Sequence, residues 1–152
     1  DANPSVVTLN EATTEPEFNW LHNWYPVLFE LDFPSDRPEP FQLFGQDYVL
    51  WKGASGTIHC LKDKCPHRWA PLSAGRIRGE DIACGYHGWQ FDSAGKCVGV
   101  PHLQQGEAVP KAACVGSFPV LVKDGLVWMS PDNVNAPDAS LIPRSRYLEK
   151  CS

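Results

Sequence analysis

Cys65-Pro66-His67 and, sixteen residues later, Cys84-Gly85-Tyr86-His87 are the two stretches that decide how this chain is read. Each carries one thiol and one imidazole, in the order C-x-H and then C-x2-H. Iron–sulfur sites mostly use cysteine alone; the exception is a [2Fe–2S] centre in which two histidines replace two cysteines on one iron. Thiolates on one iron and neutral nitrogens on the other raise the reduction potential above that of all-cysteine clusters. The pattern therefore points to a group that moves single electrons. A structural zinc also accepts Cys2His2 sets, but its motifs usually pair like with like, at C-x2–4-C and H-x3–5-H spacing. Here each half mixes the two types, which favours the cluster and leaves zinc as the alternative. Gly85 and Gly88 bracket the second histidine and let backbone approach a bulky inorganic group. Pro66 stiffens the first loop, because its φ is fixed.

The 152 residues suffice for one domain or slightly more. Hydrophobic residues make up 43%, so a core is available and disorder is not the default. Fourteen Pro and twelve Gly exceed average usage, which favours turns over long helices. No stretch approaches the ~20 apolar residues of a membrane span, and residues 1–20 lack a signal-peptide apolar region. The chain opens on Asp1 without an initiator Met, which reads as a processed or excised piece. Its net charge of −5 gives no footprint for a nucleic-acid partner. Beyond the two cysteines of the motif, Cys60, Cys97, Cys114 and Cys151 show no C-x2-C pairing. The first three read as buried, inert thiols and Cys151 as exposed near the terminus. That usage fits a reducing intracellular or organellar compartment.

Short apolar runs separated by turn residues predict an all-β domain, an antiparallel sandwich with the metal-binding loops at hairpin tips. Trp24 to Leu31 reads as a first strand, at an edge because of Pro26. Phe41–Phe44 and Tyr48–Trp51 flank a turn at Gly45-Gln46-Asp47, and Gly53–Gly56 turns into Thr57–Leu61. Arg76-Ile77 and Ile82-Ala83 lie between the two loops, and Trp89–Phe91 and Lys96–Val98 follow around Asp92–Gly95. Phe118–Val122 and Leu126–Met129 close around Lys123-Asp124-Gly125. The expected organisation is a polar arm at 1–20, the β domain at 21–130, and a Pro-rich linker at 131–152 that begins something larger.

Cys65-Pro66-His67-Arg68, Ala70-Pro71-Leu72-Ser73, Gly75-Arg76-Ile77 and Tyr86-His87-Gly88-Trp89-Gln90-Phe91 together resemble the N-terminal Rieske [2Fe–2S] domain of the Rieske-type oxygenases. The resemblance runs from about Trp24 to Ser130. It is greatest for the plant and cyanobacterial branch that includes pheophorbide a oxygenase, chlorophyllide a oxygenase and the Rieske subunit of the chloroplast inner-envelope translocon. Val109 to Val115 and Val127 to Ser130 resemble that last member most. The resemblance implies a three-sheet antiparallel architecture and a chloroplast location. It implies Cys65 and Cys84 on one iron and His67 and His87 on the solvent-facing one. It also implies an electron donor, ferredoxin or a reductase, and an acceptor in a C-terminal mononuclear iron domain, commonly reached across a subunit boundary in a trimer.

Two departures narrow the resemblance. Rieske subunits of cytochrome bc-type complexes carry a disulfide between their cluster loops, which would fall at Ala70 and Tyr86, and neither is cysteine. They also follow the second histidine with Gly-Ser, where this chain has Gly88-Trp89. Without that serine hydroxyl near the cluster, the expected potential is low in the Rieske range, around −150 mV. Second, the oxygenases work at an iron held by two histidines and a carboxylate. Beyond the motif only His22, His59 and His102 remain, with no H-x3-H or H-x4-H pair, so oxygenation is not expected of these residues.

Around the ligands, Tyr86 is expected to donate its hydroxyl to a sulfur, Trp89 to pack as cover, and Arg68 and Gly88 to complete the surroundings. Lys62, Lys64, Arg68, Arg76 and Arg78 against Asp63 give the 62–78 window +4, leaving −9 elsewhere. Such a collar would steer an acidic ferredoxin to the cluster. Two function classes follow. One is the electron-relay domain of an oxygenase acting on a chlorophyll-derived or related substrate. The other is a stand-alone Rieske ferredoxin or non-catalytic module of an envelope complex.

Overall fold

Tyr48-Val49-Leu50-Trp51 is an unbroken apolar run, and a strand reads that way when both of its faces are covered. A computed structural model describes residues 17–104, 107–110 and 113–144. It contains ten strands: β1 Tyr25–Phe29, β2 Glu39–Leu43, β3 Gln46–Lys52, β4 Ile58–Lys62, β5 Arg76–Arg78, β6 Asp81–Ala83, β7 Gln90–Phe91, β8 Cys97–Gly99, β9 Val120–Lys123 and β10 Leu126–Met129. They form three antiparallel sheets, ordered β1-β10-β9, β2-β3-β4 and β5-β6-β7-β8. The three-sheet, all-β expectation is met.

β3 is the middle strand of the middle sheet, and its four apolar residues are all buried. Alternation sends Val49 and Trp51 to one face, where they pack with Leu61, Leu72, Ile82, Phe91, Cys65 and Cys84. Tyr48 and Leu50 go to the other, against Phe33, Val127 and Met129. The middle sheet is thus the shared wall of two cores. A third cluster, Trp24, Trp128 and Ile142, lies on the outer side of the β1-β10-β9 sheet.

Some boundaries move for local reasons. β1 is an edge strand, as Pro26 requires, but it ends at Phe29; Glu30–Asp32 form a 3-10 turn that leaves Leu31 98% exposed. The β2–β3 hairpin turns at Phe44-Gly45, with φ of 50° and 72°, because Leu43 pairs with Gln46. Asp124-Gly125 repeats the pattern between β9 and β10, with φ of 53° and 70°. Two-residue turns with both φ values positive match the twist of antiparallel strands. The segment expected as a linker is docked as far as Ile142. Trp24 Nε1 donates to the Pro137 carbonyl at 3.1 Å, His22 Nδ1 lies 2.7 Å from Asp132 Oδ2, and Ile142 is buried against Trp24 and Trp128. Residues 1–16 of the arm, Lys111-Ala112 and residues 145–152 with Cys151 lie outside the described residues. Among the described residues no helix is long and apolar enough to cross a membrane.

Glu80, in the β5–β6 turn, clasps two sheets together. Its carboxylate accepts from the Ser55 backbone N–H, from Ser55 Oγ at 3.0 Å, and lies 3.2 Å from His59 Nε2. Its backbone carbonyl accepts from Trp51 Nε1 at 2.9 Å. The Ser55 N–H, then the His59 and Ser55 side-chain bonds, hold this carboxyl below its ordinary pKa. A carboxylate depressed on folding stabilises above its unfolded pKa of about 4.3, and that contribution fades as pH falls through the folded value. Glu80→Gln should therefore lower the melting temperature at neutral pH, with the gap from wild type closing as pH falls below the ordinary glutamate pKa. A gap of constant size across that range would assign the effect to shape instead of charge.

Candidate metal centre

The two motif loops are conformational twins. Cys65 N–H donates to the Ala70 carbonyl and Cys84 N–H to the Trp89 carbonyl, each at 2.8 Å. Trp69 N–H returns to the Cys65 carbonyl at 2.8 Å and Gly88 N–H to the Cys84 carbonyl at 3.0 Å. In both loops the fourth residue after the cysteine has positive φ, 62° at Trp69 and 73° at Gly88. The second loop is the tip of the β6–β7 hairpin; the first closes on itself in the same way but joins β4 to β5 across two sheets. A left-handed conformation costs a residue with a side chain about 1–2 kcal/mol, so Trp69 is the strained member of the pair.

Glycines let the loops meet. A Cβ on Gly75 would lie 1.9 Å from the Ala83 carbonyl oxygen, and one on Gly85 2.6 Å from that of Ala74. Asp63 steadies the base of the first loop, accepting from Ser73 N–H at 2.7 Å and Ser73 Oγ at 2.5 Å. The sequence carried no signal for that bond, because its partners lie ten residues apart with no shared pattern.

These approaches sort the four donors into two pairs. Cys65 and Cys84 are 1% and 2% exposed, inside the apolar core. Burial pushes the Cys65 thiol up to about 11, opposed by the His67 backbone N–H and reinforced by neighbouring Cys84. His67 is exposed and His87 half-buried, and their Nδ1 atoms lie 3.2 Å apart. Desolvation, then the charges of His67, Arg68 and His102, lower the His87 pKa and favour its neutral, ligating form. Two nitrogens bound tetrahedrally to one metal at about 2.1 Å would stand about 3.4 Å apart, so the imidazole pair fits one iron. Among the described residues no three His, Cys, Asp or Glu side chains converge on a single ion. Two thiols inside and two imidazoles outside suit a dinuclear group better than one four-coordinate zinc.

Aromatic rings from the second loop hold both imidazoles. Trp89 stacks on His67 with centroids 4.5 Å apart and planes 9° from parallel, and Tyr86 leans on His87 at 4.0 Å and 54°. Trp89 is therefore a ring support as well as the expected cover. Tyr86 is 61% exposed, so its ring flanks His87 at the surface. Gly88 faces Pro101, whose Cγ would stand 3.0 Å from an added Cβ. Pro101 and His102, neighbours of the site, were not foreseen from the sequence, because no spacing links them to the motif.

The remaining candidates disperse. Lys62 and Lys64 line a hollow of about 400 Å³ with Pro66, Trp69 and residues 114–116. Arg68 is exposed beside His67, while Arg76 and Arg78 are exposed on β5. None of these five cations forms an ion pair among the described residues. His22 and His59 are engaged by Asp132 and Glu80. Cys60 and Cys97 are buried as expected, and burial raises the pKa of both thiols. Cys114 is exposed, contrary to expectation, because it sits on the rim of the hollow.

Comparison with known proteins agrees with this geometry. The family described as "Rieske [2Fe-2S] domain" matches residues 23–119. Protein TIC 55, chloroplastic, of Arabidopsis thaliana is 37% identical over 127 residues, covering 84% of this chain and 24% of that protein. Pheophorbide a oxygenase, chloroplastic, of Oryza sativa subsp. japonica is 40% identical over 139 residues, covering 87% of this chain and 26% of that protein. Apo dicamba monooxygenase superposes with a TM-score of 0.74 at 34% identity, covering 82% of this chain and 38% of that one. The chain spans about a quarter of the length of these curated relatives.

Gly85→Ala tests the loop approach directly. The new Cβ must displace the Ala74 carbonyl, so we expect a loss of about 1–3 kcal/mol in denaturant unfolding and a lower iron-to-protein ratio after reconstitution. Unchanged stability and iron content would show that the loops tolerate wider spacing.

Proposed function

The chain belongs to the Rieske [2Fe–2S] domain family, and from that membership we propose that it is the electron-relay domain of a Rieske-type oxygenase. In this reading Cys65 and Cys84 hold the inner iron and His67 and His87 the outer one. The pairing of donors carries it: two thiols buried in the core, two imidazoles at the surface with Nδ1 atoms 3.2 Å apart. When bound, the cluster supplies a one-electron carrier whose potential its ligands set. The protein's residues do the rest. The core around Cys65 and Cys84 excludes water from the sulfur side, and Trp89 and Tyr86 fix the ring planes through which electrons pass.

Electrons arrive from a ferredoxin or reductase and leave for a mononuclear iron domain of the parent protein. Residues 21–130 form the relay domain, and 131–152 lead towards that acceptor, reached across a subunit boundary in a trimer. A chloroplast location and a chlorophyll-derived or related substrate are supported by the names of the relatives, among them pheophorbide a oxygenase and chlorophyllide a oxygenase. The second reading is a stand-alone Rieske ferredoxin or non-catalytic module of a chloroplast envelope complex, supported by the similarity to TIC 55. A histidine pair plus carboxylate encoded downstream decides for the first.

Reduced protein should give an anisotropic Rieske-type EPR signal with two irons and two sulfides per chain; one bound zinc would end the reading. Its midpoint potential should lie around −150 mV, and a value above about +100 mV would return the chain to the bc-type subfamily. Reversing charge at Lys62 and Lys64 should slow association with an acidic ferredoxin, most strongly at low salt. An unaltered rate would remove the steering role of the collar.

A further inference from the structure

We propose that Trp69 is the anchor of the docking surface for an acidic electron-donor protein, on the first motif loop beside Lys62 and Lys64. This rests on the relay reading above and names the point at which the donor binds.

The residue is unexplained by the fold. Its backbone sits at φ 62°, and the equivalent position of the twin loop is Gly88 at 73°. Glycine would take that conformation without strain. The other non-glycine residues with positive φ are accounted for. Phe44 and Asp124 lie in tight hairpin turns, and the Phe44 ring meets Tyr25 and Trp20 edge-on. Trp69 has no such reason: its indole is 67% exposed and belongs to no core cluster. What it meets is a cation, Lys64 Nζ, 4.4 Å above the ring.

The surroundings supply the chemistry of a partner. An exposed indole among cations is the composition of interface anchors. Lys62, Lys64 and Arg68 form no ion pair among the described residues, in a chain whose net charge is −5. The acidic residue between the two lysines, Asp63, spends its carboxylate on Ser73. Asp63 keeps its charge there, but Lys62, Lys64 and Arg68 outnumber it three to one, so the local field is positive and a negatively charged protein complements it. Trp69 also follows exposed His67 by two residues, so a donor seated on the hollow brings its redox centre towards the imidazole edge. One electron then passes from the reduced donor to the oxidised cluster, and no bond is made or broken.

The test uses the cluster-loaded protein and a pre-reduced acidic plant-type [2Fe–2S] ferredoxin as probe, mixed by stopped flow. The quantity read is the rate of reduction by ferredoxin divided by the rate with dithionite. Trp69→Gly should lower that ratio about tenfold or more while the melting temperature holds or rises, because strain is relieved. Trp69→Asn, which also tolerates positive φ, should repeat the loss. If both variants keep the wild-type ratio while Lys62→Glu/Lys64→Glu lowers it, the anchor is wrong and donor docking at the collar stands. If the charge reversal also leaves the ratio untouched, the donor-docking reading falls with it. A melting temperature that drops in both Trp69 variants would assign the indole to the fold and overturn the proposal.

Discussion

Everything at the metal centre depends on two places where backbone meets backbone with no room for a methyl group. Gly75 lies against the Ala83 carbonyl, and Gly85 against that of Ala74. These contacts bring together loops that belong to different connections: one crosses between sheets, the other caps a hairpin. Once they meet, the order of residues does the rest. Each loop starts with a cysteine at the base, where the core is dry, and reaches its histidine two or three residues later, where solvent begins. The division between buried sulfur and exposed nitrogen follows from loop length.

The middle sheet makes that division rigid. β3 is buried on both faces, so Val49 and Trp51 press on the sulfur side while Tyr48 and Leu50 lock the sheet to β10. Trp51 has a second task, because its indole N–H reaches the Glu80 carbonyl and ties the β5–β6 turn to the wall. The loops are thus supported from behind by a packed surface, which is how a protein limits the movement of ligands between redox states.

Much of this was legible in the chain. The C-x-H and C-x2-H motifs, the hairpin at Asp92–Gly95 and the edge strand at Pro26 came from local patterns, and local patterns survive folding. Turn positions were less legible: Gly45-Gln46-Asp47 had the composition of a turn, but cross-strand pairing of Leu43 with Gln46 moved it to Phe44-Gly45. The stacking of Trp89 on His67 and the grip of Asp63 on Ser73 were invisible, because each joins residues that only the tertiary fold brings together. The docking of 131–144 was hidden by its composition. Prolines and polar residues read as a spacer, yet buried Pro137 and Ile142 seat the segment.

That seat has a geometric consequence. Ile142 rests on the outer face of the β1-β10-β9 sheet, whereas the sulfur pair lies between the middle sheet and the β5–β8 sheet. Two sheets, packed about 10 Å apart, thus stand between Ile142 and the sulfur pair. The 131–144 segment therefore braces the sheet that does not touch the sulfur pair. The segment's hold on His22, Trp24 and Trp128 thus ties the two ends of the domain together on the sheet remote from the ligands.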